Sequence, residues 1–524
     1  MEICETEKRR RRRKQRVLKA LKKNSMEFCN HTSLHGLQYL GEPNRPPVER
    51  FFWLIIFITS LIIVTLVTYN VWKKWHYSPV FVSFGDAMKP VWEIPFPAIT
   101  ICPQIKVKQT KFNFSHVCEL TNKTEKHVER LHNYSLRCFC ILDGCNATLN
   151  SPIDRDVRES STRMNEFLEE VAPTVKEVIE VCRWRGINEK CEEIFKPVIT
   201  DDGLCYAANV LNVDEIFNND TVQSDWNILH HRETKYWTFE NQYSDSESGD
   251  AYPVRALTSG TSGGLLLLIS LHKEDVDPLC SASVYGVKRT VLNKICPADY
   301  PAAVQDQYFR IPVNRDVVVG IKPRIMTTGN NLRSYSPIYR KCYFANERHL
   351  RYFKIYTQQN CILECFSNYT LKQCKCVAYY MPRTKDIPMC NIRKMNCTEQ
   401  TKVKFIADDS GMEKCRCLPS CTEIKYDIET SQAMFRSDKL SNAMGVENTE
   451  QHRESVSMVS IFYKDNQFVT NYRSELYGTA DFLASCGGLL GLYLGFSFLS
   501  LIEIIYFFTL RLISNFQANR RSSN

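Results

Sequence analysis

GGLLGLYLGFSFLSLIEII, residues 487–505, is apolar and uncharged as far as Glu503, yet it carries glycine at 487, 488, 491 and 495. Glycine weakens a helix by about 1 kcal/mol relative to alanine, so a helix that only had to sit in lipid gains nothing from four of them. Gly487, Gly491 and Gly495 recur every fourth residue and share one helix face, a groove without side chains. Small residues at this spacing let helices approach closely in lipid, and plain helix pairing is one reading. Here the glycine face also runs into Gly495, Phe496 and Ser497, where a hydroxyl and lightly shielded carbonyls can meet water. Ser500 and Glu503 continue the polar line. A carboxylate in or at the end of a span is costly unless it meets water, a cation or a partner. The pattern predicts a pore lined by Gly487, Gly491, Ser500 and Glu503.

Outward from that stretch, the chain of 524 residues has 44% hydrophobic content, 23 cysteines and a formal net charge of +9, enough for several packing units. Two long apolar runs, Phe51 to Trp72 and Phe482 to Ile502, can each cross about 30 Å of hydrocarbon as a helix. The first is too long for the apolar part of a secretory signal and lacks a small-residue cleavage site after it. KRRRRRKQRVLKALKK (8–23) precedes the first run, and Arg511, Arg520 and Arg521 follow the second. Lys and Arg collect on the cytosolic side of spans, so both termini are expected in the cytosol, with the chain between the spans outside. The basic run also suits nuclear localisation or nucleic-acid binding. Beside a span, an orienting role with contact to anionic lipid is the better reading, and no nucleic-acid partner is expected.

The cysteines test this topology independently. Setting aside Cys4, Cys29 and Cys486 leaves twenty of the 23 between the spans, an even number, as a fully paired domain in an oxidising compartment requires. The close pairs Cys138/Cys140, Cys374/Cys376 and Cys415/Cys417 have no His at zinc-ligand spacing beside them, so disulfides are favoured over a metal. N-x-S/T acceptors at Asn113, Asn122, Asn133, Asn146, Asn219, Asn368 and Asn396 fall in the same interval. Within it, PFPAITIC (95–102), GLLLLISL (264–271) and SMVSIFY (457–463) read as buried strands. STRMNEFLEEVAPTVKEVIEVC (161–182) has helical spacing and is expected to form one or two helices broken near Pro173. The polar stretch from about Asn218 to Gly264 reads as an exposed insertion or loose loop.

Two spans around a cysteine-rich domain, with residues 487–505 as second span, resemble the degenerin and epithelial sodium channel superfamily. The Gly-x-Ser at 495–497 is similar to its selectivity-filter motif, SLHGL (33–37) to its His-Gly motif and FPAITIC to its post-span strand. CRWRGINEKCEEIFKPVITDDGLCY (182–206), RKCYFANE, CILEC, CKCVAYYMPR and CRCLPSC look most like the insect pickpocket branch. The resemblance implies an α+β membrane protein in which two transmembrane helices flank a large disulfide-rich extracellular domain of palm, thumb, finger, knuckle and β-ball, assembled as a homo- or heterotrimeric channel in the plasma membrane. It implies a cytosolic segment 1–50, first span 51–72, extracellular domain 73–479, second span 480–510 and cytosolic tail 511–524. The filter would be Gly495, Phe496 and Ser497, the gate Ala484 at the degenerin position, and His35 and Gly36 a re-entrant gating motif. Implied disulfides pair Cys102 with Cys205, Cys182 with Cys191, Cys342 with Cys421, Cys361 with Cys417, Cys365 with Cys415, Cys374 with Cys397 and Cys376 with Cys390. Cys280 with Cys296 is suggested by proximity alone, and Cys118, Cys138, Cys140 and Cys145 are left to pair among themselves.

The implied function is a sodium-permeable, amiloride-sensitive cation channel, serving sensory transduction (mechanical, osmotic or chemical) or epithelial salt handling. Such a channel needs no enzymatic site and no cofactor or metal beyond permeant Na+, and its gating ligand is not legible here. Three departures from the family pattern stand out: YAAN (206–209) lacks the usual aromatic before Asn, Ser485 stands where acid-sensing relatives carry an acid, and Phe496 replaces a small filter residue. Strict sodium selectivity is therefore less firmly implied than cation selectivity. An auxiliary, non-conducting subunit is an alternative. An ATP-gated purinoceptor would share the topology but leaves the cysteine series from 342 to 421 unexplained. A lipid-anchored adhesion protein sits poorly with Glu503 and the basic tail after the last apolar run.

Overall fold

The computed structural model describes residues 24–42, 45–77, 80–113, 168–222, 252–270, 309–390, 394–407, 414–435, 456–476 and 478–515, with residues 237–238, 242–243 and 287–291 and the single residues 21, 116, 275 and 299. Its longer helices are α1 Pro47–Tyr77, α2 Gln358–Cys374, α3 Met395–Ala407, α4 Thr479–Leu494 and α5 Phe498–Tyr506. Strands in the first half are β1 Val80–Pro90, β2 Ile99–Pro103, β3 Ile179–Trp184, β4 Ile187–Glu189, β5 Lys196–Thr200 and β6 Gly203–Ala208. In the second half they are β7 Leu265–Ser270, β8 Val287–Val291, β9 Phe309–Ile311, β10 Arg315–Thr328, β11 Glu423–Met434, β12 Val456–Tyr463 and β13 Gln467–Glu475. The chain divides into two units. Residues 1–81, 334–340 and 474–524 form one, and residues 82–333 and 341–473 form the other.

The larger unit is built on an 8-stranded mixed sheet, ordered β1-β13-β10-β12-β7-β3-β4, with β11 on the second edge of β10. β10 buries Val317, Val319, Ile321 and Ile325 at alternating positions, the period-2 pattern of a strand with one covered face. One of its edges pairs antiparallel with β11, from Arg315↔Met434 to Met326↔Glu423. Its other edge pairs parallel, first with β12 and then with β13. The same core takes in Val459, Ile461, Leu265, Leu267 and Trp184 from other strands of the sheet, together with Phe96; fully burying side chains of this size contributes roughly 1.5–3 kcal/mol each. The buried hydroxyls of Tyr426 and Tyr463 both donate to the Pro95 carbonyl, at 2.8 and 2.7 Å, so neither is left unsatisfied. A second, 5-stranded sheet runs β9-β8-β2-β6-β5.

Two local expectations hold only in part. Helix runs over 168–171 and 175–178 on either side of Pro173, as expected, but not beyond 178. Residues 161–182 do not continue as helix to Cys182: after Pro173 a capping box between Thr174 and Glu177 opens one short turn, Val175–Val178. Ile179 then begins β3, because Ile179 and Cys182 have buried positions to fill against β7; residues 161–167 lie outside the described residues. Within the stretch from Asn218 to Gly264, residues 252–264 are no loose loop. Ala256 is buried, the Phe96 N–H donates to the Val254 carbonyl at 2.9 Å, and the Arg255 guanidinium donates to the Trp92 carbonyl at 3.0 Å.

α2 and α3 pack around Phe366, Val377, Met381, Phe405 and Cys415. Thr357 caps α2 by accepting the Asn360 N–H at 3.1 Å, and Lys375, left-handed at φ 60°, ends it. In the membrane-type unit, α1 is a 31-residue helix that extends beyond the apolar run Phe51 to Trp72 at both ends. Trp75 stacks on Phe482 of α4 at 4.6 Å, and Tyr339, from the inserted segment 334–340, meets His76 and Tyr77 at 5.5 and 5.6 Å. The second apolar run is not one helix. It stops at Leu494 and restarts at Phe498, so Gly495 caps the helix instead of continuing its face.

Candidate functional site

The helix break is built from ordinary capping chemistry. Gly495 has φ +68° and ψ 18°, a left-handed conformation that glycine adopts without a Cβ penalty. Its N–H returns to the Gly491 carbonyl at 2.9 Å. Two residues on, Ser497 and Ser500 form a reciprocal cap: Ser497 Oγ accepts the Ser500 N–H at 3.2 Å, and Ser500 Oγ accepts the Ser497 N–H at 3.0 Å. Residues 495–497 therefore leave the helical hydrogen-bond ladder without leaving donors stranded. The carbonyl end of α4, which carries partial negative charge, lies at this break, where the Leu490 carbonyl accepts the Phe496 N–H at 3.3 Å. Such an arrangement can offer oxygen atoms to a cation.

A segment from the other end of the chain fills the space beside the break. The His35 N–H donates to the Leu494 carbonyl at 2.9 Å, and the His35 ring packs so closely that a Cβ on Gly495 would lie 2.7 Å from it. Glycine at 495 is thus required twice, by its φ and by His35. Gly36, at φ +83°, turns the segment back towards α1, where Tyr39 stacks on Trp53 at 4.4 Å. Residues 24–31, a short helix, hold the segment in place: Asn24 Nδ2 donates to the Phe507 carbonyl at 2.9 Å, Phe28 meets Phe507 edge-on at 5.6 Å, and Glu27 pairs with Arg511.

These contacts place the expected site residues unequally. Gly495, Phe496, Ser497, His35 and Gly36 come together. Ser500 does not face an opening: it is fully buried, consumed by Ser497 and by Ser33 at 2.7 Å. Glu503 is half-buried and accepts both the N–H and the hydroxyl of Ser33 at 3.2 Å. Ser33 is a functional candidate that sequence reading missed, since nothing about one serine beside His35 marks its partner 467 positions away.

The disulfides lie in the other unit. Bridges join Cys102–Cys205, Cys182–Cys191, Cys342–Cys421, Cys361–Cys417, Cys365–Cys415, Cys374–Cys397 and Cys376–Cys390. Cys361 and Cys365 stand one helical turn apart, about 6 Å, a distance the two-residue step from Cys415 to Cys417 can match. Three of the last five bridges, at Cys361, Cys365 and Cys374, thereby lie like rungs along α2, with Cys342–Cys421 and Cys376–Cys390 beyond its two ends. Across residues 28–507 the sequence matches the family model described as amiloride-sensitive sodium channel.

The chain belongs to the amiloride-sensitive sodium channel family. It is 28% identical over 508 residues to Pickpocket protein 28 of Drosophila melanogaster, covering 94% of this chain and 79% of that protein. Sodium channel protein Nach of the same fly is 24% identical over 520 residues, with 95% and 89% covered. Acid-sensing ion channel 2 of Homo sapiens is 20% identical over 485 residues, with 91% and 84% covered.

In this member of the family Gly487 and Gly488 of α4 are not used within the chain, whereas Gly491 is half-covered, a Cβ there lying 3.9 Å from the Phe496 carbonyl oxygen. At about 100° per residue, Leu483, Ala484, Gly487, Gly488 and Leu492 fall on one half of the helix, and all are exposed, Leu483 by 67% and Leu492 by 76%. Phe482, Ser485, Cys486, Leu489, Leu490 and Tyr493, on the other half, are partly covered. A Cβ on Gly487 or Gly488 would meet nothing within 4 Å. Packing between this chain's own helices therefore does not explain Gly487 or Gly488. Among the predicted acceptors for sugar, Asn219, Asn368 and Asn396 are exposed and Asn113 is half-exposed. Asn122, Asn133 and Asn146, with Cys118, Cys138, Cys140, Cys145, Cys280 and Cys296, lie outside the described residues. Cys29 and Cys486 are free thiols.

Proposed function

We propose that the chain is a subunit of a trimeric, sodium-permeable cation channel of the plasma membrane, with both termini in the cytosol. The single observation that carries this reading is the break at Gly495, Phe496 and Ser497, where an exposed hydroxyl and a helix carbonyl end stand together inside an apolar run. Selectivity filters work by replacing part of a cation's hydration shell with such oxygens. The exposed half of α4 supports assembly, since Ala484, Gly487 and Gly488 would line the space between three copies, with Ala484 at the gate. Permeation is of Na+, block by amiloride follows the family, and the role is sensory transduction or epithelial salt handling. The mixed sheet would be the palm and the disulfide-laddered helices α2 and α3 the thumb.

Expression of the intact chain, alone and with related subunits, tests this reading. Replacing external Na+ by a large organic cation should abolish an amiloride-sensitive inward current. Glycosidase should shift the mass through sites between Asn113 and Asn396. Sugar on Asn30 instead would reverse the topology.

A further inference from the structure

We propose that Ser33 is a positioning residue for the Ser497 hydroxyl, acting through a directed chain of hydroxyls that Glu503 terminates; the inference rests on reading residues 495–497 as the site of ion discrimination. Ser33 Oγ lies 2.7 Å from Ser500 Oγ and 3.2 Å from Glu503 Oε2. The Ser33 N–H donates to the same carboxylate oxygen at 3.2 Å. Ser500 Oγ lies in turn 3.1 Å from Ser497 Oγ.

The direction of this chain follows from proton accounting. A carboxylate only accepts, while a hydroxyl has one proton to give and two lone pairs to receive. Ser33 therefore gives its proton to Glu503, and its oxygen receives the proton of Ser500. The Ser500 oxygen then receives two donors from Ser497, the N–H at 3.0 Å and the hydroxyl proton at 3.1 Å. Ser497 keeps two lone pairs. One accepts the Ser500 N–H at 3.2 Å, and the other is free. Ser500 is fully buried while Ser497 is exposed, so that free lone pair is what the open side of the break meets. A chain running the other way would present a proton there and repel a cation. Glu503 and Ser33 thus act on permeation without touching the ion, by deciding which end of the Ser497 hydroxyl faces it.

The test compares full-length channels at matched surface level, using the reversal potential under Na+/K+ exchange, which does not depend on how many channels fold. Ser33→Ala should change the Na+ to K+ permeability ratio by about fivefold, the scale of one hydrogen bond, and Ser33→Thr should restore it. Glu503→Gln brings an amide donor to the end of the chain and should shift the ratio the same way, with Ser33→Ala adding little on that background. A ratio unchanged in Ser33→Ala but altered in Ser497→Ala would overturn this inference and leave the filter reading intact; no change in either would overturn the filter reading itself. A second measurement needs no current. Mild oxidation of the Ser33→Cys/Ser500→Cys chain in membranes should give a bridged peptide joining the two segments by mass spectrometry, and its absence would contradict the contact.

Discussion

Residues 342–421 are held by bonds within the region itself, residues 494–503 by chain from the opposite end of the sequence, and the two kinds of bond are opposite. In the first, five disulfides cross-link the region, three of them from α2, each stabilising by roughly 2–4 kcal/mol a region with a modest core. In the second, His35 and Ser33 hold the helix break by single hydrogen bonds, each worth about 1 kcal/mol net. Covalent rungs make an element that moves as one body. Hydrogen bonds of this size make one that can rearrange under a ligand or load worth a few kcal/mol. Under the proposed function the division is apt: stiffness lies where a stimulus is gathered, and adjustability where ions pass.

The comparison breaks first if the rungs prove dispensable. Cys361→Ser and Cys417→Ser should each lose most surface delivery, because an orphaned thiol and a lost crosslink act together; normal surface level and normal gating in both would remove the pair from any structural role. A glycine in the break and one before it sharpen it further. Gly495→Ala meets a left-handed backbone, at about 1–2 kcal/mol, and the His35 ring besides, so current should be lost. Gly487→Ala meets open space within the chain and, being one methyl, should leave surface expression unchanged or slightly raised, as helix propensity favours alanine. Equal effects at both positions would mean that the break is not special. Ala484→Val adds volume on the exposed half of α4. If that half closes against neighbouring copies, overpacking costs the closed state about 1–3 kcal/mol, and stimulus-independent cation current should rise about tenfold or more. Unchanged resting current in a well-expressed variant would take Ala484 out of the gate.

Much of the larger unit was legible because burial writes itself into sequence. The apolar runs holding Phe96 to Cys102, Leu265 to Ser270 and Ser457 to Tyr463 all form strands of the two sheets. β10 and β11 are not legible from apolar runs, although β10 is central, since Gly320, Lys322, Pro323 and Arg324 interrupt the apolar residues of β10. Asn209 was seen only within a departure from family pattern, yet its side chain bonds the Phe96 carbonyl and accepts the Val254 N–H at 2.7 Å, at φ +58°. The glycine-rich run announced a special span, and the seven bridges join cysteines that the family resemblance pairs, which spacing alone does not. What no local pattern could show was the break after Leu494, the burial of Ser500, or Ser33. Each depends on a partner from the opposite end of the chain.

Ion discrimination at residues 495–497 is tested most directly by reversal potentials of Ser497→Ala channels under Na+/K+ exchange, with Gly487→Ala as the control eight residues from Gly495. Loss of the Ser497 oxygen should shift the Na+ to K+ permeability ratio several-fold, about the worth of one cation-facing hydrogen-bonding group, while Gly487→Ala keeps the parental ratio. Unaltered reversal potentials in conducting Ser497→Ala channels would place the filter elsewhere on the second apolar run.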